Sequence, residues 1–227
     1  MILFFKSTSR SRTRTISFED NFDDHQQELK KKKNITEGAC CSTSLTVWRK
    51  SLLFSCEGFT VIGSDGSLVY RVDNYSGRGR PGQVILMDGS GKPILTMFRR
   101  KKFGLVDKWL IFEGEVDDCS NKKTAKKPIF CAKKSLNVLQ ANINVLAYVY
   151  RGMSCKRHSY VVEGSYVQRS CKVLDESRRV VVEIKKKETM IGGGVSFGQE
   201  VFLLIVQPGF DSGFAMALIL LLDQMFS

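Results

Sequence analysis

Histidine and metal-binding cysteine motifs are scarce in this sequence. It has two histidines, His25 and His158, and no C-x-x-C pair among its seven cysteines. Structural zinc sites use Cys and His ligands at short, regular spacings, so the sequence predicts no bound metal and no cofactor. The odd number of cysteines is also poorly suited to a disulfide framework, and we expect free thiols in a reducing compartment.

The motifs that normally bind nucleotides or activate a nucleophile are missing or misplaced. The run Gly77–Gly82 matches G-x-G-x-x-G, but a dinucleotide site needs a helix after that motif, and this one leads into a predicted strand. Gly192–Gly194 lacks the Gly-Lys-Ser/Thr ending of a phosphate-binding loop. A nucleophile with its base would have to be Cys155 with His158, which lie in a polar loop. We therefore expect that this protein is not an enzyme.

The sequence also lacks a secretory signal and an apolar run of membrane-spanning length. Its apolar N-terminal head is too short for export. The apolar run Gly213 to Leu222 covers about ten residues and roughly 15 Å as a helix, whereas a bilayer core of roughly 30 Å needs about twenty residues. We expect an intracellular protein with no transmembrane span, located in the cytoplasm, at a membrane surface or in the nucleus.

The first 44 residues differ in composition from the rest of the chain. They are rich in Ser, Thr, Arg and Lys and have few periodic apolar residues, which predicts a disordered basic tail over 1–44. Residues 1–18 contain four bases and no acid, a composition shared with organelle transit peptides. A solvated basic extension is the interpretation we favour over a cleaved transit peptide.

From Leu45 onward, short runs of Val, Ile, Leu, Phe and Tyr alternate with Gly, Asp, Asn and Ser turns, a spacing typical of one all-β barrel or sandwich domain over 45–227. Asp65-Gly66 and Asp88-Gly89 are typical hairpin turns. The predicted strands are Leu45–Leu53, Gly58–Gly63, Leu68–Asn74, Gln83–Met87, Ile94–Phe98, Trp109–Glu115, Ile129–Cys131, Val138–Ala141, Ala147–Tyr150, Tyr160–Glu163, Tyr166–Val173, Val180–Lys185 and Glu200–Val206.

The C-terminal segment predicts a helix over 211–226 that is apolar on every side. Such a helix must be buried, because a surface helix would carry a polar stripe. The sequence contains a faint internal repeat, in which the segment that begins at Val84 aligns with the segment that begins at Val173. Each segment consists of a strand, an acidic turn, a second strand and a basic exit. Two antiparallel halves can close into a barrel of about twelve strands, wide enough to enclose a helix along its axis. The predicted fold class is therefore mainly β, a closed antiparallel barrel around a central hydrophobic C-terminal helix.

The formal net charge of +12 favours anionic partners. Basic clusters lie at predicted strand exits, and several could converge on one end of a barrel and attract anionic phospholipid. A scattered, solvated basic surface is the alternative, and nucleic acid is a weaker one, because aromatic residues are not interleaved with the charge. The candidate contacts to anionic lipid are Arg99, Arg100, Lys101, Lys102, Lys185, Lys186 and Lys187.

Three segments resemble the plant LURP-one-related proteins: Leu45–Val61 (LTVWRKSLLFSCEGFTV), Leu68–Tyr75 (LVYRVDNY) and Val206–Ala217 (VQPGFDSGFAMA). The resemblance covers about Leu45 to Phe226. It implies a tubby-like fold, a barrel of about twelve strands around a C-terminal helix, with a relationship to phospholipid scramblases. It also implies a protein without established enzymatic activity, connected with plant defence and similar to membrane-tethered regulators. Tubby proteins bind phosphoinositides through basic residues, but no such motif matches this sequence position by position.

Three functional hypotheses follow from these observations. The first is a non-enzymatic regulator that docks on anionic membranes through basic loops. The second is a structural or interaction module whose partner is a protein and whose charge provides solubility. The third and weakest is lipid scrambling.

Overall fold

The computed structural model describes residues 41–54, 56–74, 82–100, 108–116, 126–135, 144–153, 156–187 and 198–226. The predicted tail lies outside the described residues up to position 40, and the first strand begins at Thr43 rather than at Leu45. The predicted strand Val138–Ala141 also lies outside the described residues.

Twelve antiparallel strands form a closed barrel in which sequence neighbours pair and the last strand pairs with the first, from Thr43↔Val206 to Trp48↔Val201. The predicted class, a mainly β barrel of about twelve strands with a C-terminal helix, is confirmed. The elements are β1 Thr43–Trp48, β2 Glu57–Ile62, β3 Leu68–Asn74, β4 Gln83–Asp88, β5 Pro93–Arg100, β6 Lys108–Glu113, β7 Phe130–Lys134, β8 Val145–Arg151, β9 Tyr160–Ser165, β10 Ser170–Asp175, β11 Val180–Lys186, β12 Val201–Val206 and α1 Ser212–Phe226.

Helix α1 fills the barrel. Every residue from Gly213 to Asp223 is buried, because strands surround the helix and their inward-facing residues pack on it. The Asp211 carboxylate accepts a 2.6 Å hydrogen bond from the Phe214 N–H and so acts as the N-cap. The helix is apolar on every side because every side of it meets the wall of the barrel.

Two hairpins, β4–β5 and β10–β11, show the internal repeat in the backbone. Their turns begin at Asp88 and Asp175, and each carboxylate accepts hydrogen bonds from the backbone N–H groups two and four residues later. A bulge lies just before each aspartate. When the two turns are superposed on Asp88 and Asp175, Leu86 aligns with Val173. The sequence alignment instead placed Val84 over Val173 and was therefore shifted by two residues, because the aspartates set the register of the turns.

Most predicted strands differ from the observed ones by one to three residues at an end, and two differ by more. The strand predicted over Leu45–Leu53 ends at Trp48, because the Ser51 hydroxyl accepts a hydrogen bond from the Leu53 N–H and turns the chain. The strand predicted over Tyr166–Val173 begins only at Ser170. Its first residues form a turn in which the Arg169 N–H donates to the Tyr166 carbonyl and Arg169 has a φ of 53°.

Candidate functional site

The ends of the odd-numbered strands share one rim of the barrel, because neighbouring strands run in opposite directions. Helix α1 ends at the same rim, since the Lys134 Nζ at the end of β7 donates a 2.7 Å hydrogen bond to the Met225 carbonyl. We term this the C-terminal rim. The N-terminal rim is the opposite one, where the Tyr70 and Ser212 hydroxyls share a hydrogen bond of 2.7 Å at the start of α1.

Basic residues concentrate at the C-terminal rim. Strands β1, β5, β7 and β11 each end in a basic pair or triplet, counting the residues that directly follow the strand, and β6 begins with a base. Within the described part of the chain these bases outnumber the acids of the same rim, Glu57, Asp73, Glu200 and Asp223. The bases are Arg49, Lys50, Arg99, Arg100, Lys108, Lys133, Lys134, Lys185, Lys186 and Lys187.

The structure thus brings five of the predicted lipid contacts to one rim. Arg99 and Arg100 end β5, whereas Lys185 and Lys186 end β11 and Lys187 follows them. Strands β5 and β11 are six places apart in a ring of twelve, so the two clusters face each other across the rim. The remaining two candidates, Lys101 and Lys102, lie outside the described residues.

Four of these bases belong to inward-facing rows of their strands. Residues of the hydrophobic core cluster alternate along β1, β5 and β11, and the same alternation continues to Arg49, Arg99 and Lys186. Lys134 belongs to the row of the buried Ala132. The four bases therefore surround the C-terminus of α1, where exposed carbonyl groups give the helix its negative end.

Some bases of the rim already have protein partners. Arg49 Nε lies 2.9 Å from the Asp223 carboxylate, and Lys187 Nζ donates to the Thr46 hydroxyl at 3.1 Å. Lys185 Nζ lies 2.6 Å from Glu183, and this hydrogen bond lowers the pKa of the Glu183 carboxyl.

Two candidate bases differ from these in their contacts. Arg100 and Lys186 are exposed, and neither forms an ion pair with an acid among the residues that the structure describes. These two side chains can reach an external anion without giving up an internal contact.

A buried polar network lies beneath the rim. The Tyr166 hydroxyl donates to Asp223 Oδ1 at 3.1 Å, and burial raises the pKa of this phenol. The Arg169 guanidinium lies over the rings of Tyr166 and Phe202, at 4.2 and 4.5 Å from their centres. Its Nε donates to the Gln199 carbonyl at 2.9 Å. With Arg49 also on Asp223, this network joins the end of α1 to the rim strands.

A cleft of about 450 Å³ opens at the same rim. Arg49, Lys50, Glu57 and Asp223 line it together with Cys56. Its walls carry both signs of charge, and the ion pair of Arg49 with Asp223 forms part of its lining. The cleft is therefore a polar recess in the basic rim.

Several charges at the N-terminal rim are paired at the hairpin turns. The carboxylates of Asp65, Asp88 and Asp175 accept hydrogen bonds from their own turns, which lower the pKa of each. Arg179 pairs with Asp175 at 2.8 Å, and Arg178 with Glu163 at 2.7 Å. Lys92 and Lys127 are also exposed at this rim, so both rims offer bases to solvent.

The loop between β1 and β2 contains surface residues that the sequence interpretation missed. Leu52 is 56% exposed and Phe54 is 100% exposed. The sequence placed Leu52 in a strand, where alternation would explain an apolar residue. The signal that could have corrected this is Ser51, since a serine that bonds its own backbone favours a turn.

Of the candidate catalytic pair, Cys155 and His158, the structure describes only the histidine. His158 is exposed with its ring 5.5 Å from that of Tyr148, and Cys155 lies outside the described residues. No three His, Cys, Asp or Glu side chains come close enough to hold a metal ion in the described ranges. Of the helices described, none has the length and apolar character needed to cross a membrane.

Comparison with known proteins agrees with this architecture. A solved X-ray structure of an Arabidopsis thaliana protein matches with a TM-score of 0.56 at 24% identity, covering 82% of this chain and 92% of that one, which supports the fold alone. Protein LURP-one-related 17 of Arabidopsis thaliana is 49% identical over 96% of this chain and 98% of its own length.

A second relative and a family model identify the family. Protein LURP-one-related 8 of Arabidopsis thaliana is 48% identical over 80% of this chain and 86% of its own length. The LURP-one-related family model matches residues 43–223, from the first strand of the barrel to the last turns of its helix. The chain therefore belongs to the LURP-one-related family.

Proposed function

We propose that this protein is a non-enzymatic regulator that docks reversibly on anionic phospholipid surfaces through its C-terminal rim. The observation that carries the proposal is the placement of basic strand ends on β1, β5, β7 and β11 around one rim. A flat anionic surface can contact such a ring at several points at once. A pocket for a small anion would instead gather the bases on one side.

The basic rim favours reversible electrostatic binding. Each base near an anionic membrane contributes about 1 kcal/mol, and the attraction decays over the Debye length. The exposed Arg100 and Lys186 side chains can approach the lipid headgroups. Arg49 and Lys134 add positive potential while Arg49 stays paired with Asp223 and Lys134 stays bonded to the Met225 carbonyl. The expected affinity is therefore moderate and strongly dependent on salt.

The buried position of α1 supports a peripheral mode of binding. A helix that fills the barrel cannot also anchor the chain in lipid, because its removal would leave the core empty. We propose defence signalling as the biological context, on the basis of family likeness. The same likeness is the basis for proposing a relationship to tubby-like and phospholipid scramblase proteins, and lipid scrambling is the weaker alternative function.

Vesicle flotation of the full chain tests the proposal. Three vesicle types are compared: phosphatidylcholine alone, phosphatidylcholine with phosphatidylserine, and phosphatidylcholine with a phosphoinositide. We expect recovery with both anionic types, decreasing as salt is raised, and little with the neutral type. Equal recovery with neutral and anionic vesicles at moderate salt would contradict the proposal and favour a protein-interaction module.

A further inference from the structure

Exposed apolar side chains collect at the same rim as the bases. The large hydrophobic residues that are exposed among those described are Trp48, Leu52, Phe54, Met153 and Val167. All but Met153 lie at the C-terminal rim, since β1 and β9 both end there. Protein surfaces that bind at the interface between water and lipid carry exposed apolar side chains beside basic ones.

The loop that carries Leu52 and Phe54 is held in place by hydrogen bonds at its base. The Thr60 hydroxyl donates to the Lys50 carbonyl at 2.7 Å, and the Ser51 hydroxyl donates to the Asp73 carboxylate at 2.5 Å. The Ser51 oxygen also accepts the Leu53 N–H at 3.0 Å. The two apolar side chains therefore project from a segment whose base is held by hydrogen bonds.

The flanks of the loop suit the region of lipid headgroups. Lys50 Nζ lies 5.5 Å from the ring centre of Trp48, and Arg49 follows that tryptophan. An aromatic ring with a cation beside it is favourable at the level of the headgroups. Apolar tips farther out then meet the acyl chains.

We infer that Leu52 and Phe54 insert into the boundary between headgroups and acyl chains when the C-terminal rim meets an anionic bilayer. This inference rests on the proposed function and gives it a second, apolar component. The position of Val167 favours a bilayer as the partner of this rim. Val167 follows β9, which lies four strands from β1 around the barrel, so the exposed apolar side chains are spread over the rim. A single groove for a peptide would not need that spread.

Fluorescence quenching by brominated lipids tests the insertion. The reporter is Phe54→Trp in a Trp48→Phe background, in which the remaining Trp109 is buried inside the barrel. The control is Met153→Trp in the same background, since Met153 is also an exposed apolar residue but lies at the N-terminal rim. We expect the indole of the Phe54→Trp variant to be quenched and blue-shifted on anionic vesicles, and that of the control to be unchanged.

The outcomes separate this inference from the proposed function. If the protein floats with anionic vesicles but the Phe54→Trp signal matches the control, insertion is wrong and electrostatic docking stands. If the protein does not float at all, both are wrong.

A second variant checks the apolar contribution to affinity. Leu52→Ser with Phe54→Ser, shown to be folded by circular dichroism, should bind anionic vesicles roughly ten- to a hundredfold more weakly. Unchanged vesicle affinity would overturn the inference.

Discussion

Lys134 joins the wall of the barrel to the helix that fills it: its Nζ donates a 2.7 Å hydrogen bond to the Met225 carbonyl and lies 4.3 Å from the ring centre of Phe226. An ammonium group at this place satisfies a helix carbonyl that has no intrahelical partner and opposes the negative end of the helix dipole. One base of the charged rim therefore has a structural role.

Replacing Lys134 with methionine should lower the free energy of unfolding by about 1–2 kcal/mol, because a charge-assisted hydrogen bond and a cation–π contact are lost. Chemical denaturation measures the change. Lys127→Met is the matched control, since Lys127 is exposed at the opposite rim, and it should stay within about 0.5 kcal/mol of the wild type. Equal effects of the two substitutions would contradict the structural role of Lys134 at the end of α1.

Leu220→Asp should prevent the domain from folding cooperatively. Leu220 is 1% exposed inside the barrel, and an unpaired buried carboxylate costs more than about 4 kcal/mol, a large part of the stability of a domain. Ala217→Asp should act in the same way. Gln224→Asp, exposed on the same helix, should cost less than about 1 kcal/mol. A soluble Leu220→Asp protein with a cooperative thermal transition would overturn the placement of α1.

The sequence was sufficient to predict the barrel and its helix, because both depend on periodicity. Apolar residues at every helical position from Gly213 to Leu222 require a wall on all sides, and repeated Asp turns require hairpins. The fold therefore follows from local patterns that a single chain displays.

The arrangement of the site could not be predicted as securely, because it depends on counting strands. A base lies at one rim or the other according to whether its strand is odd or even. With a strand predicted at Val138–Ala141, every later strand would change rims, whereas in the structure β7 pairs directly with β8. The exposed loop at Leu52 was missed for a related reason, since one serine side chain decides where β1 ends.

Acid should destabilise the fold partly through its hairpin turns. Hydrogen bonds from Ser90 and from the Arg179 backbone lower the pKa of Asp88 and Asp175 below the ordinary value of 3.8. Their stabilisation is complete above that value and is lost as the pH falls through the lower folded-state pKa values. Thermal melts from neutral pH to well below 3.8 should show a smaller loss for Asp88→Asn with Asp175→Asn than for the wild type. An identical acid dependence would contradict this role.

Cysteine reactivity should separate the exposed thiols from the buried ones. Burial raises the pKa of Cys171 to about 12, so almost no thiolate is present near neutral pH. Cys131 is also buried, whereas Cys41 is exposed and Cys56 is partly exposed. Brief alkylation of the native protein followed by peptide mass mapping should label Cys41 before Cys56 and leave Cys131 and Cys171 unmodified. Rapid native labelling of Cys171 would contradict its placement in the core.

The central claim, that the C-terminal rim binds anionic membranes, is tested most directly by paired charge reversals in vesicle flotation. Arg100→Glu with Lys186→Glu changes two exposed bases of that rim, and Lys92→Glu with Lys127→Glu makes the same change of charge at the opposite rim. All four side chains are exposed, so both variants should fold. The account predicts at least a tenfold loss of affinity for anionic vesicles in the first variant, at about 1 kcal/mol per base removed, and a much smaller loss in the second. Equal losses in the two variants would show that net charge, and not the rim, governs binding, and would contradict the account.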